Sequence, residues 1–157
     1  AGRAAAGVGW YETSNWARAR TDRSRHNLNY WTGGDWWGIG PGAHSHVAGT
    51  RWWNARHPAA WAERVRAGVS PATGRERLDA RPRYEEAVLL RSRLADGIPS
   101  PMLHAHARAA LPGLLAAGLL DAVAVSHGRA VETLRGRLLG DLVVDRLLTA
   151  AETGSYT

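Results

Sequence analysis

Residues 26–31 read His-Asn-Leu-Asn-Tyr-Trp, a histidine followed four and five positions later by two aromatic side chains. An imidazole beside an aromatic wall suits a planar, metal-bearing ligand, because imidazole can supply an axial nitrogen to haem iron. Taken alone, the hexapeptide reads more readily as a loop histidine among core tryptophans. Two neighbouring strings change its weight: Tyr11-Glu12-Thr13-Ser14-Asn15-Trp16-Ala17 upstream and Gly38-Ile39-Gly40-Pro41-Gly42-Ala43-His44-Ser45 downstream. All eight tryptophans fall before residue 62.

The other chemistry-bearing residues point nowhere as specific. His44 and His46 would share a face of a strand, but no third metal ligand accompanies them. His104 and His106, on a predicted helix, would project to nearly opposite sides. His57 reads as a helix-start residue and His127 as a turn residue. Ser14 and Ser45 lack a nucleophile-elbow context, and Glu85 and Glu86 are adjacent, so a helix would point them apart. The absence of cysteine excludes disulfides, a thiolate zinc site and a Cys-ligated iron–sulfur cluster within these residues.

The elements that must hold the hexapeptide are short. Val8–Glu12 reads as a strand bounded by Gly7 and a polar turn. Asp35–Ile39 and His44–Trp53 are further strand-like runs, separated by Gly-Pro-Gly at 40–42. Glycines at 38, 40 and 42 mark a sharp turn or a close backbone approach. Pro58 opens a helix to about Ala67, closed by Gly68, with Trp61 and Val65 burying together. Ser70-Pro71 and Arg81-Pro82 bracket a linker-like stretch.

The second half reads as a helical lobe. Helices are expected over Tyr84–Ala95, Pro101–Ala109 and Leu111–Ala117, then a hairpin of Ala122–Val125 and Arg129–Glu132. Thr133 caps a last helix to about Ala150, with Leu138, Leu139, Leu142, Val143 and Leu147 as its apolar stripe. That order is winged-helix-like. The expected segmentation is 1–57, a connecting 58–82, and 83–157.

A chain of 157 residues supports one domain or two small lobes. It starts Ala-Gly-Arg without a signal-peptide pattern. The longest apolar run, Leu114–Val125, is too short to span a bilayer, so a soluble, cytoplasmic protein is expected. The net charge of +6 comes from 20 arginines without a single lysine, scattered rather than clustered. Such a spread makes a poor nucleic-acid footprint.

Together these strings resemble the C-terminal half of the HemW haem chaperones. That family sits in the radical S-adenosylmethionine group with oxygen-independent coproporphyrinogen III oxidase. Tyr11-Glu12-x-Ser14-Asn15-Trp16-Ala17 is similar to its Tyr-Glu-x-Ser-Asn-aromatic-Ala strand, with Trp16 where phenylalanine or tyrosine is more usual. Arg25-His26-Asn27-Leu28-Asn29-Tyr30-Trp31 carries the His-Asn-x-x-Tyr-Trp motif. Gly33–Ser45 resembles the segment that ends the barrel, and Leu134–Leu139 the start of the last helix. The family's Cys-x-x-x-Cys-x-x-Cys motif would precede Ala1, so the resemblance implies a fragment that cannot by itself cleave S-adenosylmethionine.

The resemblance implies a fold and a set of sites. The fold is α/β plus α: the last strands of a partial (β/α) barrel, then a mostly helical, winged-helix-like lobe. His26 would be the haem-associated residue and a potential iron ligand. Tyr30 and Trp31 would give flat contact, and Asn27 a hydrogen bond to the loop or a propionate. Trp16 and Ala17 would lie near the S-adenosylmethionine adenine, and Gly38, Gly40 and Gly42 would let backbone approach that cofactor. The full-length protein would carry a [4Fe-4S] cluster and S-adenosylmethionine. Its partners would be haem and haem-acceptor proteins, membrane-associated ones included; an exposed strand edge is compatible with a homo-oligomer.

Two rivals are testable. Coproporphyrinogen III oxidase, which carries out oxidative decarboxylation to protoporphyrinogen IX, shares the scaffold. A winged-helix DNA-binding module would need polar groups on its recognition segment. Leu111–Leu120 has almost none to meet a base edge and looks made to be buried.

Overall fold

The computed structural model describes residues 7–149. In chain order its strands and helices are β1 (Gly9–Glu12), β2 (Asn15–Ala17), α1 (Arg25–Trp31), β3 (His44–Val47), β4 (Thr50–Asn54), α2 (Pro58–Arg66), β5 (Ala72–Arg77) and α3 (Ala80–Ser92). There follow β6 (Ile98–Pro99), α4 (Ala105–Ala116), α5 (Ala122–Ser126), β7 (Arg129–Ala130), α6 (Leu134–Leu138) and α7 (Gly140–Thr149). The content is mixed α/β. The chain divides into two compact units, one joining the residues up to Thr32 to those from Glu85 onward, the other Gly33–Tyr84. These units cut across the expected 1–57, 58–82 and 83–157 segments.

The first unit holds most of the apolar core. Val88 of α3, Ala107 of α4, and Val143 and Leu147 of α7 are buried, with Ile98 and Leu103 between them. Each of the Val, Leu and Ile side chains among them contributes roughly 1.5–3 kcal/mol by leaving water. Leu111, Leu114, Leu119 and Leu120 are also buried, as the apolar composition of that stretch predicts. Residues expected to form two helices make one, α4, with Pro112 inside it. Proline removes one ladder hydrogen bond, and burial of Leu111 and Leu114 on one face carries the helix through.

Two expectations for this unit fail, one because of a side-chain cap and one because a helix breaks. The Asp121 carboxylate accepts the Ala124 N–H at 2.8 Å, so Ala122–Ser126 is a helix and not a hairpin arm. Arg129–Ala130 pairs instead with Ile98–Pro99. Thr133 does cap a helix, accepting the Gly136 N–H at 3.0 Å, but that helix is the short α6. The chain breaks at Leu139 before α7 begins. Leu138, Leu139 and Leu142 are consequently exposed, while Val143, Val144 and Leu147 are buried. The expected end near Ala150 lies outside the described residues.

The second unit is built on an antiparallel sheet in the order β3-β4-β5. Ala48 (φ 49°) and Gly49 (φ 76°) both lie in the left-handed region, the geometry of a type I′ turn between Val47 and Thr50. Asp35 steadies this turn by accepting the Ala48 N–H at 3.0 Å. The predicted strand 35–39 shrinks to one bridge, Trp36 with His46. The stretch expected to be a linker contains β5, paired with β4 from Thr50↔Arg77 to Asn54↔Ala72. Its sequence, Ala-Thr-Gly-Arg-Glu-Arg, lacks apolar alternation, and pairing with the tryptophan-bearing β4 makes it a strand. α2 starts at Pro58 and gives way at Gly68 (φ 68°), as expected, although Val65 stays 45% exposed.

Candidate functional site

The hexapeptide is a helix, not a loop. Ser24 caps α1, its hydroxyl accepting the Asn27 N–H at 3.3 Å, and that cap lets His26 through Trp31 coil. His26 and Tyr30 are one turn apart and meet: their rings lie 4.8 Å apart at 89°, edge to face. The His26 side chain is exposed, whereas Asn27, Tyr30 and Trp31 are half-buried. One helix therefore gathers all four residues predicted to contact haem, with one outward imidazole steadied by a neighbouring ring.

Both ends of α1 are pinned from elsewhere in the first unit. The Tyr11 hydroxyl of β1 accepts the Ser24 N–H at 3.1 Å. Arg91 of α3 donates to the Thr32 carbonyl at 3.2 Å, placing a cation at the helix C-terminus where the helix dipole favours one. Arg23, just before the cap, lies over the Tyr11 ring at 5.7 Å and pairs with Asp96 at 3.8 Å.

The upstream string explains itself as a hairpin. Trp10 pairs with Trp16 and Glu12 with Asn15 across β1 and β2. Glu12 is fully buried. Its carboxylate accepts from the Ser14 N–H at 3.2 Å, the Ser14 hydroxyl at 3.4 Å and the Asn15 side-chain amide. Glu12 thus ties the turn, while the adjacent Tyr11 aims at α1. Neither was among the predicted site residues. A glutamate followed at two and three positions by Ser and Asn is the local signal for such a turn; nothing local signals the Tyr11–Ser24 contact. Tyr11→Phe should cost about 1 kcal/mol, the typical worth of one hydrogen bond, and speed amide hydrogen exchange in the first turn of α1.

The residues expected near an adenine belong to different units. Trp16 (37% exposed) and half-buried Ala17 lie on β2 in the first unit. Gly38, Gly40 and Gly42 belong to the second. A Cβ on Gly38 would sit 2.0 Å from the His44 carbonyl oxygen, so this glycine answers to its own chain. Gly40 (φ 109°) and Gly42 (φ 68°) need the left-handed backbone of the turn, which Asn54 clasps through a side-chain amide bond to the Gly40 carbonyl at 2.9 Å.

No group of three or more His, Cys, Asp or Glu among the described residues could hold a metal ion. His104 and His106 are closer than opposite helix faces imply. His104 precedes α4 in extended conformation, and its ring lies 5.8 Å from that of His106. Burial, and secondarily His104, lower the His106 pKa. Among the described residues no helix is long and apolar enough to cross a membrane.

No family model matches the chain. Over 145 residues the chain is 50% identical to the haem chaperone HemW of Mycobacterium tuberculosis (strain H37Rv), covering 92% of this chain and 36% of that protein. The Bacillus subtilis (strain 168) haem chaperone HemW is 28% identical over 147 residues, 90% of this chain and 38% of its own length. A mitochondrial radical S-adenosyl methionine domain-containing protein 1 of Dictyostelium discoideum is 35% identical over 74 residues, 39% of this chain and 17% of that one. The chain thus spans little more than a third of the HemW proteins that it matches. Among solved structures it is similar to the Escherichia coli coproporphyrinogen III oxidase HemN, a radical SAM enzyme, with a TM-score of 0.53. That likeness covers 96% of this chain and 33% of the other at 15% identity, which shows the fold alone.

Proposed function

We propose, given that this chain belongs to the HemW family of the radical S-adenosylmethionine group and corresponds to the C-terminal portion of its members, that α1 is the haem-receiving element of a haem chaperone. The observation that carries this is the outward His26 imidazole, held edge-on by Tyr30 on a helix pinned at both ends. Haem is the cargo. His26 offers the iron an axial nitrogen, Tyr30 and Trp31 offer flat apolar contact, and the Asn27 side chain offers a hydrogen bond to a propionate. Haem-acceptor proteins, membrane-associated ones included, are the recipients in this reading, which sets the protein in the cytoplasm and leaves room for a homo-oligomer.

The radical chemistry of the group does not run on these residues. Without a cysteine the chain supplies no thiolate for a [4Fe-4S] cluster. Trp16, Ala17, Gly38, Gly40 and Gly42 stay a proposal for S-adenosylmethionine contact in the whole protein. Gly40 is the glycine with open space in place of a side chain. Residues 1–57 are proposed as the last strands of a partial (β/α) barrel, 58–82 as a connection, and 83–157 as a winged-helix-like lobe.

His26→Ala is the direct test. It should shift the haem absorption band and weaken haem binding by at least about tenfold, the lower range for disturbed metal-ligand sites. An unchanged spectrum and affinity would remove His26 from the site. Turnover of coproporphyrinogen III by the full-length protein would instead favour the oxidase.

A further inference from the structure

We propose that the face of the β3-β4-β5 sheet bearing Trp52 is a seat for the carboxylate-bearing edge of a porphyrin, with Trp37 and Trp52 as its walls and Arg75 as its anion partner. This rests on the reading of haem as cargo and adds a contact that does not involve the iron.

Ser45, Trp52 and Arg75 are successive cross-strand partners, so their side chains share one face. At the Ser45 end that face is closed: Ser45 is buried, and its hydroxyl accepts the Gly38 N–H at 2.9 Å. In the middle, Trp37 lies against Trp52, ring centroids 4.9 Å apart at 75°. Toward Arg75 the face opens into a cavity of about 490 Å³, lined by Trp37, Trp52, Thr50, Ser70 and Arg75. That volume falls in the range of about 300–1,000 Å³ usual for small-molecule sites.

Three features select the occupant. Trp37 is 70% exposed, leaving a large apolar ring in water that a flat ligand would cover. Arg75 makes no ion pair among the described residues, whereas Arg51 on the neighbouring strand pairs with Glu76 at 3.7 Å. A guanidinium beside aromatic walls matches a ring with a carboxylate on its edge, because its planar fork donates two parallel hydrogen bonds to a carboxylate. The cavity is open rather than enclosing, which fits a cargo that must be released. S-adenosylmethionine also joins a flat ring to a carboxylate, so the shared chemistry has two sources.

The test titrates the chain with metal-free protoporphyrin IX and, separately, with S-adenosylmethionine, reading tryptophan fluorescence. Porphyrin should quench and saturate. Trp37→Ala and Arg75→Gln should each weaken it about tenfold, the effect of losing one good contact, and Arg75→Lys should restore part of the loss. Unchanged circular dichroism would show that the variants are folded. Equal porphyrin affinity in wild type, Trp37→Ala and Arg75→Gln overturns the proposal. So does Trp37- and Arg75-dependent binding of S-adenosylmethionine alone. Haem binding that still depends on His26 would in either case leave the function above standing, whereas a chain that binds neither haem nor porphyrin would sink both.

Discussion

Glu12→Ala is expected to lower the unfolding free energy by about 3 kcal/mol, combining lost hydrogen bonds to a charged acceptor with the cavity left behind. The Glu12 carboxylate is fully buried and serves three donors in the Thr13–Asn15 turn. Glu12 also bridges Leu94, and the next backbone contact runs from the Ala95 N–H to the Tyr11 carbonyl at 3.0 Å. The loss therefore reaches the segment after α3. Glu12→Gln keeps one acceptor oxygen and should cost about half as much. Denaturant unfolding of both variants checks the order, and a loss under about 1 kcal/mol for alanine would contradict the role assigned to this side chain. Tyr11 is adjacent and holds the Ser24 N–H, so a loosened β1 should release the start of α1 and weaken haem binding through His26.

How far the site could be read in advance depended on the range of the interactions. The α2 boundaries were legible because Pro58 and Gly68 act locally. The Thr133 cap was legible for the same reason, but the length of its helix was not. Gly136 packs so close to the Leu119 carbonyl that a Cβ would lie 2.0 Å from it, a tertiary fit that no periodicity announces. The alternating Ala-Val-Ala-Val at 122–125 reads as strand, and the Asp121 cap overrides it. β5 was hidden because its register comes from β4, not from its own side chains. For the site, the spacing of His26 and Tyr30 was visible, yet their contact exists only because Ser24 starts a helix. Tyr11 reaches Ser24 across 13 positions, beyond any local pattern.

Glu132→Gln should stabilise the protein at pH 8 by roughly 2–3 kcal/mol and have little effect at pH 4, by proton linkage. Glu132 is buried, bridges Leu120 from the stretch before α6, and has an oxygen, Oε1, that accepts no hydrogen bond among the described residues. Burial pushes its pKa up from 4.5 to about 7; Arg93 and Arg137 pull it down, and Asp141 adds to the rise. The cations have other engagements that limit their help. Arg93 pairs with Asp141 at 3.7 Å, and the Arg137 guanidinium lies 4.0 Å above the Trp10 ring. The folded state therefore holds this proton more tightly than the unfolded chain does. Below pH 4.5 both states are protonated and the group's contribution is at its full value. Between about pH 4.5 and 7 the unfolded state gives up its proton first, so stability falls as pH rises; above 7 the loss is complete. Glutamine is neutral throughout and removes that slope. Unfolding free energies at pH 4, 6 and 8 should give curves for wild type and variant that meet in acid and diverge toward alkali. Parallel curves would mean that Glu132 ionises as readily folded as unfolded, and that Arg93 and Arg137 compensate its burial in full.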